Sequence, residues 1–288
     1  MDQQTMLITG ASSGIGLALA KLGLQRGYRV VATARKSSLS RFRSLGLPES
    51  ENFLIRPLDV TNADQREALI AELNKHHHGV DVLINNAGIA YRSVIEHMSS
   101  ADELLQMETN FLGPMALTRL VLPRMRKQRR GCIVNISSVG GMMAMPTMGS
   151  YSASKFALEG ASEALWYELR PWNVRVVLVQ PGFVHSNAFR HIYWTHRGKS
   201  ALTGQDDYHA YYANMESFVE RLMGIAHATP DSIAKKVLRT IESAHAPLRV
   251  SATADAVFFS WIRRFLPRRL YHGLLYRGLP GISHWGKN

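Results

Sequence analysis

Seven short runs rich in apolar and β-branched residues, TMLIT, RVVATA, FLIRPLD, VDVLINNA, GCIVNIS, VRVVLVQ and LRVSAT, alternate along the chain with stretches of helical spacing. Strands that alternate with helices build βαβ units, and the crossovers make the strands parallel and cover both sheet faces. The spacing therefore predicts an α/β fold, a single doubly wound domain with a seven-stranded parallel sheet and helices on both faces. With 288 residues, 46% of them hydrophobic, the chain is long enough to fill one such core. The helical stretch GLALAKLGLQRG ends on Gly27, a residue suited to a helix C-terminus.

The first strand runs into GASSGIG, with Gly10, Gly14 and Gly16 opening a helix. Glycines there let the backbone approach a pyrophosphate, whose charge meets the free N–H groups and positive end of the helix. The second strand ends in ATARKSS. A site for NAD would place a carboxylate near Ala34 to take the ribose hydroxyls; that position is apolar, and Arg35 and Lys36 follow, as a 2′-phosphate would require. The expected cofactor is NADP(H).

Tyr151 and Lys155, four residues apart in SYSASKFALEG, fall on one face of a helix. A phenol titrates near pH 10, so a tyrosine that donates to a carbonyl and is regenerated near neutrality needs its ionised form favoured. A cation one turn away does this, and a shift of about three units takes roughly 4 kcal/mol of differential interaction.

The motifs TGASSGIG, Asp59-Val60, NNAG at Asn85 to Gly88, Ser137-Ser138, YSASK and Pro181-Gly182 resemble, in order and spacing, the short-chain dehydrogenase/reductase family over roughly residues 5 to 185. The resemblance implies a Rossmann-type fold and carbonyl–alcohol interconversion. It implies that Tyr151 is the acid/base, that Ser138 holds the reacting oxygen, and that Lys155 binds the nicotinamide ribose while acidifying the tyrosine. Asn110, in METNFLG, resembles the family's helix-breaking asparagine that supports a water-linked proton relay. The cofactor set implied is Gly10, Ser12, Ser13, Gly14, Ile15, Gly16, Arg35, Lys36, Asp59, Val60, Asn86, Ala87, Gly88, Tyr151, Lys155, Pro181, Gly182, Val184 and Ser186. In PGFVHS, Ser186 replaces the family's threonine and keeps its hydroxyl. The family is usually dimeric or tetrameric, so a homodimer or homotetramer is expected.

VGGMMAMP and SKFALEG are similar to the hydroxysteroid and retinol dehydrogenase branch. The substrate expected is a lipophilic carbonyl or alcohol, steroid-, retinoid- or long-chain-like. Met142, Met143, Met145 and Met148 precede Tyr151 and suit an irregular apolar ligand. Between about 183 and 229 the strand–helix pattern breaks, with no strand expected; this insertion is the expected substrate lid, with His209, Tyr212 and Met215 as candidates to face the cavity. Two rival functions are a reductase of carrier-bound 3-oxoacyl thioesters and a non-catalytic nucleotide-binding scaffold or sensor. The intact Asn110, Ser138, Tyr151 and Lys155 argue against the scaffold.

The domain is expected over residues 1–257, with a basic amphipathic extension at 258–288. That extension carries Arg263, Arg264, Arg268, Arg269, Arg277 and Lys287 and no acid, half of the chain's net charge of +12. Phe258, Ile262, Phe265 and Leu266 form one helical stripe there, suited either to a membrane surface or to packing on the domain or a second subunit. No zinc-ligand spacing, arginine-rich repeat or RNP-type aromatic motif is present, so nucleic acid is not an expected partner. The triplet His76–His78 is expected in a loop, with no metal site. Cys132, the single cysteine, is expected as a buried structural thiol in a reducing compartment. The N-terminus lacks the features of a signal peptide, and no apolar run reaches the ~18 residues of a membrane span. The cytoplasm is the expected location, with peripheral contact at a membrane surface as one of the alternatives for the tail.

Overall fold

The computed structural model describes residues 3–185, 192–203 and 206–286. In chain order its strands are β1 (Thr5–Ile8), β2 (Arg29–Ala34), β3 (Phe53–Pro57), β4 (Val82–Asn85), β5 (Tyr91–Arg92), β6 (Gly131–Ile136), β7 (Val174–Gln180), β8 (Tyr193–Trp194) and β9 (Arg249–Ser251). The helices are α1 (Gly14–Gln25), α2 (Ser40–Ser44), α3 (Ala63–His76), α4 (Ser100–Met107), α5 (Gly113–Gln128), α6 (Gly149–Leu169), α7 (His196–Thr203), α8 (His209–Gly224), α9 (Pro230–Glu242), α10 (Ala254–Phe265) and α11 (Arg268–Arg277).

Seven strands form one sheet in the order β3-β2-β1-β4-β6-β7-β9, and every pairing is parallel. All seven expected runs take part. Alternate residues of a strand face opposite layers. Met6 and Ile8 accordingly join Val30, Ala32 and Ile84 under α1 and α9, whereas Leu7 joins Val31, Leu83 and Ile133 under α3 and α5. Burial on both faces is why these strands read as continuous apolar runs. Cys132 lies in the first of these layers, and burial pushes its thiol up to about 11. The strand order reverses between β1 and β4, and a crevice at such a switch point is where open α/β sheets bind ligands.

Two local expectations are corrected. The insertion does contain a strand: β8 pairs in parallel with β5, and the rings of Tyr91 and Tyr193 lie 5.3 Å apart. Two residues are too few to show an alternating pattern. His76 closes α3 rather than lying in a loop. Residue 258 lies inside α10, whose start Thr253 caps by accepting from the Ala256 amide. Asp255 and Thr253 then accept from the amides of Phe183 and Gly182, at 2.8 and 2.9 Å, which fastens the start of α10 to the end of the sheet. Among the described residues, no helix is long and apolar enough to cross a membrane.

Candidate active site

One cavity of about 800 Å³ opens at the carboxyl ends of β1, β2, β4, β6 and β7. Its floor at one end is the glycine turn. Gly10 has a φ of +66°, and a Cβ there would stand 2.9 Å from the Ala87 backbone, so the position requires glycine. Asn86 secures the turn by donating from Nδ2 to the carbonyls of Thr9 and Gly10 at 2.9 and 3.1 Å. Thr9 Oγ1 accepts from the amides of Asn86 and Ala87, which locks β1 to the end of β4.

Gly10, Ser12, Ser13, Gly14, Ile15, Arg35, Asp59, Val60, Asn86, Ala87, Gly88, Pro181, Gly182 and Val184 line this cavity, together with Ser138, Tyr151, Lys155, Met143 and Met145. Gly16 does not line it: its place is against Asn86, whose Nδ2 would be 2.4 Å from an added Cβ, so it serves helix packing. Lys36 is exposed and does not line the cavity. Arg41 and Ser38 line it instead, brought in by the turn into α2. That basic residue lies six positions beyond Arg35, too far for a strand-end motif to reveal it. Ser186 lies outside the described residues.

At the other end, Ser138 follows β6 and Tyr151 and Lys155 project from α6. The Ser138 hydroxyl hydrogen-bonds the Tyr151 side chain and accepts from the Gly140 amide at 3.0 Å. Gly140 lies against the phenol, and a Cβ there would meet its Cε1 at 3.0 Å. Lys155 Nζ donates to the carbonyl of Ile136 at 2.9 Å and stands 5.9 Å from the centroid of the Tyr151 ring. The chain alone does not acidify the tyrosine. Burial pushes the phenol above its ordinary value, with the Ser138 hydrogen bond pulling it back. Burial likewise brings Lys155 down to about 8, opposed by the Glu159 carboxylate. Desolvation outweighs the pairing that spacing suggested.

Asn110 occupies a π-turn, Glu108–Leu112, between α4 and α5. Its Nδ2 donates to the carbonyl of Ile89 and to Ser154 Oγ at 2.9 and 3.0 Å, while its Oδ1 accepts from the Ile89 amide at 2.9 Å. The side chain is thus committed to clamping the strand β4 exit against α6, behind the cavity lining. Gly88 fits between them, because a Cβ there would meet Asn110 Oδ1 at 3.3 Å and Lys155 Nζ at 3.8 Å.

Part of the insertion expected as a lid borders the cavity. Met148, Ile192, Tyr193, Val219 and Met223 line the cavity, Val219 and Met223 from α8. His209, Tyr212 and Met215 do not. His209 is exposed, with Nδ1 against the Ala201 carbonyl at 2.8 Å. Tyr212 faces inward, but its hydroxyl accepts from the Val94 amide and pairs with His97 Nδ1, both at 3.0 Å. Its role is to hold α8 down, and Val219 and Met223 lie further along that helix. Met142 turns away from the cavity toward Tyr271 of α11.

Two features escaped sequence reasoning. Arg35 Nη2 donates to the Tyr193 hydroxyl at 3.3 Å, joining the end of β2 to the lid strand, and this contact raises the guanidinium's pKa. Arg92 is a cation in the cavity wall, 5.9 Å over Trp194. Burial lowers its guanidinium to about 10, against the pull of Glu216 and Glu220 on α8. An arginine inside a two-residue strand carries no sequence signal that separates it from a surface charge.

The sequence profile described as short chain dehydrogenase matches residues 4–195. A protein named 3-ketodihydrosphingosine reductase, from Bacteroides thetaiotaomicron, is 41% identical over 212 residues, covering 73% of each chain. The crystal structure of a short-chain dehydrogenase from Streptomyces avermitilis superposes with a TM-score of 0.77 at 28% identity, covering 94% of this chain and 99% of that one. A metagenomic short-chain oxidoreductase solved in complex with NADP gives 0.65 at 28% identity over 86% of this chain and 96% of that one. With its profile match running from β1 through β8 and its sheet shared with solved members, the chain belongs to the short-chain dehydrogenase family of oxidoreductases.

Proposed function

We propose that this protein is an NADPH-dependent oxidoreductase that interconverts a carbonyl and an alcohol on a lipophilic substrate, with Tyr151 as the acid/base. The observation that carries the reading is the meeting of Tyr151, Ser138 and Lys155 on one wall of a cavity whose far end is the glycine turn and Arg35. That turn fits a dinucleotide: Gly10 and Gly14 take positive φ, and a helix N-terminus opens into the same space. When bound, the cofactor supplies the hydride in reduction and accepts it in oxidation.

Tyr151 gives its phenolic proton to the substrate oxygen as the alcohol forms, and takes it back in the reverse direction. Ser138 donates a hydrogen bond to that oxygen while charge builds on it. Lys155, held by the Ile136 carbonyl, favours the phenolate left behind. Arg35 and Arg41, both at the glycine end, supply two cations for a 2′-phosphate. Asn110 positions the Ile89 backbone and Ser154 and touches no reacting atom.

The substrate class rests on the cavity wall and on kinship. Met143, Met145, Met148, Val219 and Met223 offer an apolar, adaptable surface for an alkyl chain. The Bacteroides relative is named for a ketone on a long-chain lipid base.

The test is NADPH consumption against long-chain, steroid and retinoid ketones, with NADH in parallel. Turnover on a lipid ketone with NADPH preferred is expected, and Tyr151→Phe should reduce it by about 10³-fold while the fold and cofactor affinity are kept. Equal turnover by Tyr151→Phe would overturn the mechanism, and a preference for NADH would overturn the cofactor assignment.

A further inference from the structure

Helices α10 and α11 divide their apolar residues between an inner and an outer face. Phe259, Ile262, Leu266, Tyr271 and Leu275 pack inward on Val139, Met142, Met143 and Met145, the segment behind the cavity wall. Val257, Phe258, Trp261, Phe265, Leu270 and Leu274 face outward and are 43–64% exposed. A shallow groove runs along the outer face of α10 between Val257, Phe258, Trp261, Ile262 and Phe265. The single stripe expected from sequence is therefore split: Leu266 turns inward, Phe258 and Phe265 outward, and Ile262 lies at the boundary between them. Packing on the domain accounts for the inner half only.

Charge selects what the outer half meets. Arg263, Arg264, Arg268, Arg269 and Arg277 are all exposed on these two helices, and the chain contains no Asp or Glu after Asp255. Arg263 lies 5.1 Å over the Phe156 ring and Arg264 5.7 Å over Phe265, so the cations border the apolar face. A second copy of the chain docking on this face would bring both sets of arginines together with no carboxylate from either tail, and like charges at close range oppose that. A surface of lipid headgroups carrying anionic phosphates meets both halves of the pattern, apolar residues entering the acyl boundary and arginines pairing with phosphate.

We propose that α10 and α11 form a docking surface for an anionic lipid bilayer, with Phe258, Trp261, Phe265, Leu270 and Leu274 inserted and the arginines at headgroup level. The surface goes beyond the reductase reading and does not depend on it. Docking here sets the bilayer against the outer side of the helices whose inner side backs Met143 and Met145 of the cavity.

The test is flotation of the full chain with phosphatidylcholine vesicles and with vesicles that also contain phosphatidylglycerol. Binding is expected to the mixed vesicles alone and to weaken as salt is raised, because screening shortens to about 3 Å at 1 M. Combined Phe258→Ser, Trp261→Ser and Phe265→Ser should lower the bound fraction at least about tenfold, and so should Arg268→Gln with Arg269→Gln, without a change in thermal unfolding. These side chains are exposed, so the core stays intact. Absence of binding by the parent chain, or unchanged binding by either variant, overturns the proposal. A dimer in sedimentation that the triple variant abolishes, with no vesicle binding, assigns the face to a second copy and also overturns it. Flotation needs no turnover, so failure of the reductase reading, seen as no NADPH oxidation, is distinguishable from failure here.

Discussion

Lys155 Nζ donates to the Ile136 carbonyl at 2.9 Å, on the last residue of the strand whose exit carries Ser138. One hydrogen bond thereby ties the ammonium of α6 to the sheet end that presents the serine, and burial holds that ammonium down to about 8. The unfolded chain binds a proton at this lysine up to its ordinary value of 10.5, the folded chain only to about 8. The unfolded state thus binds more protons between these values, so the lysine's destabilising cost is full below pH 8 and is relieved as pH rises toward 10.5. Lys155→Met should remove a cost on the order of 3 kcal/mol at about pH 7 and flatten the stability profile above it relative to the parent. Urea unfolding at about pH 7 and about pH 9.5 checks this; parallel profiles for the two proteins would refute it. The same variant should lose carbonyl reduction.

Among the described residues, Arg35 and Arg41 are the cations at the glycine end of the cavity. Replacing either by Ala should weaken NADPH binding by roughly ten- to a hundredfold, as expected for a charge-assisted hydrogen bond of about 1.5–3 kcal/mol, and leave NADH nearly unchanged. Tyr193→Phe should have a smaller effect, since it removes only the hydroxyl that Arg35 reaches at 3.3 Å. Titration of cofactor fluorescence measures all three, and equal losses for NADPH and NADH would remove the 2′-phosphate from the account.

Asn110→Ala leaves the amide of Ile89 without its partner, whereas the Ile89 carbonyl keeps the Gln106 side chain at 2.6 Å. A buried backbone group that loses its partner costs about 1–3 kcal/mol, so the unfolding midpoint should fall. Because Gly88 and Lys155 adjoin the clamp, kcat should fall more than KM rises. A rise in KM alone would point instead to a side chain that touches substrate.

Tyr212→Phe removes the hydroxyl that holds Val94 and His97. Stability should drop by about 1–2 kcal/mol, with KM for a lipid ketone changed less than about twofold. A large KM change with stability intact would return Tyr212 to the substrate wall.

Regularities that repeat along the chain are legible from the amino-acid order alone. Strand runs buried on both faces must be apolar throughout, so seven of them announce the parallel sheet, and a backbone turn that only glycine can make announces one end of the cavity. Tyr151, Ser138 and Lys155 are legible because their spacing on one helix and one strand exit is local. Lys36 and Arg41 exchange places because a turn, not a spacing, decides which cation enters the cavity. Tyr212 and Met223 occupy one helix, and only its packing against His97 determines which of them meets the pocket. The sign of the Tyr151 shift is likewise decided by the fold, because desolvation depends on what surrounds the phenol in three dimensions and no sequence distance records it. The tail's two faces complete the contrast. Its composition announces an amphipathic basic segment, whereas which apolar residues turn inward onto Met142 and Met143 is decided only by how the two helices pack.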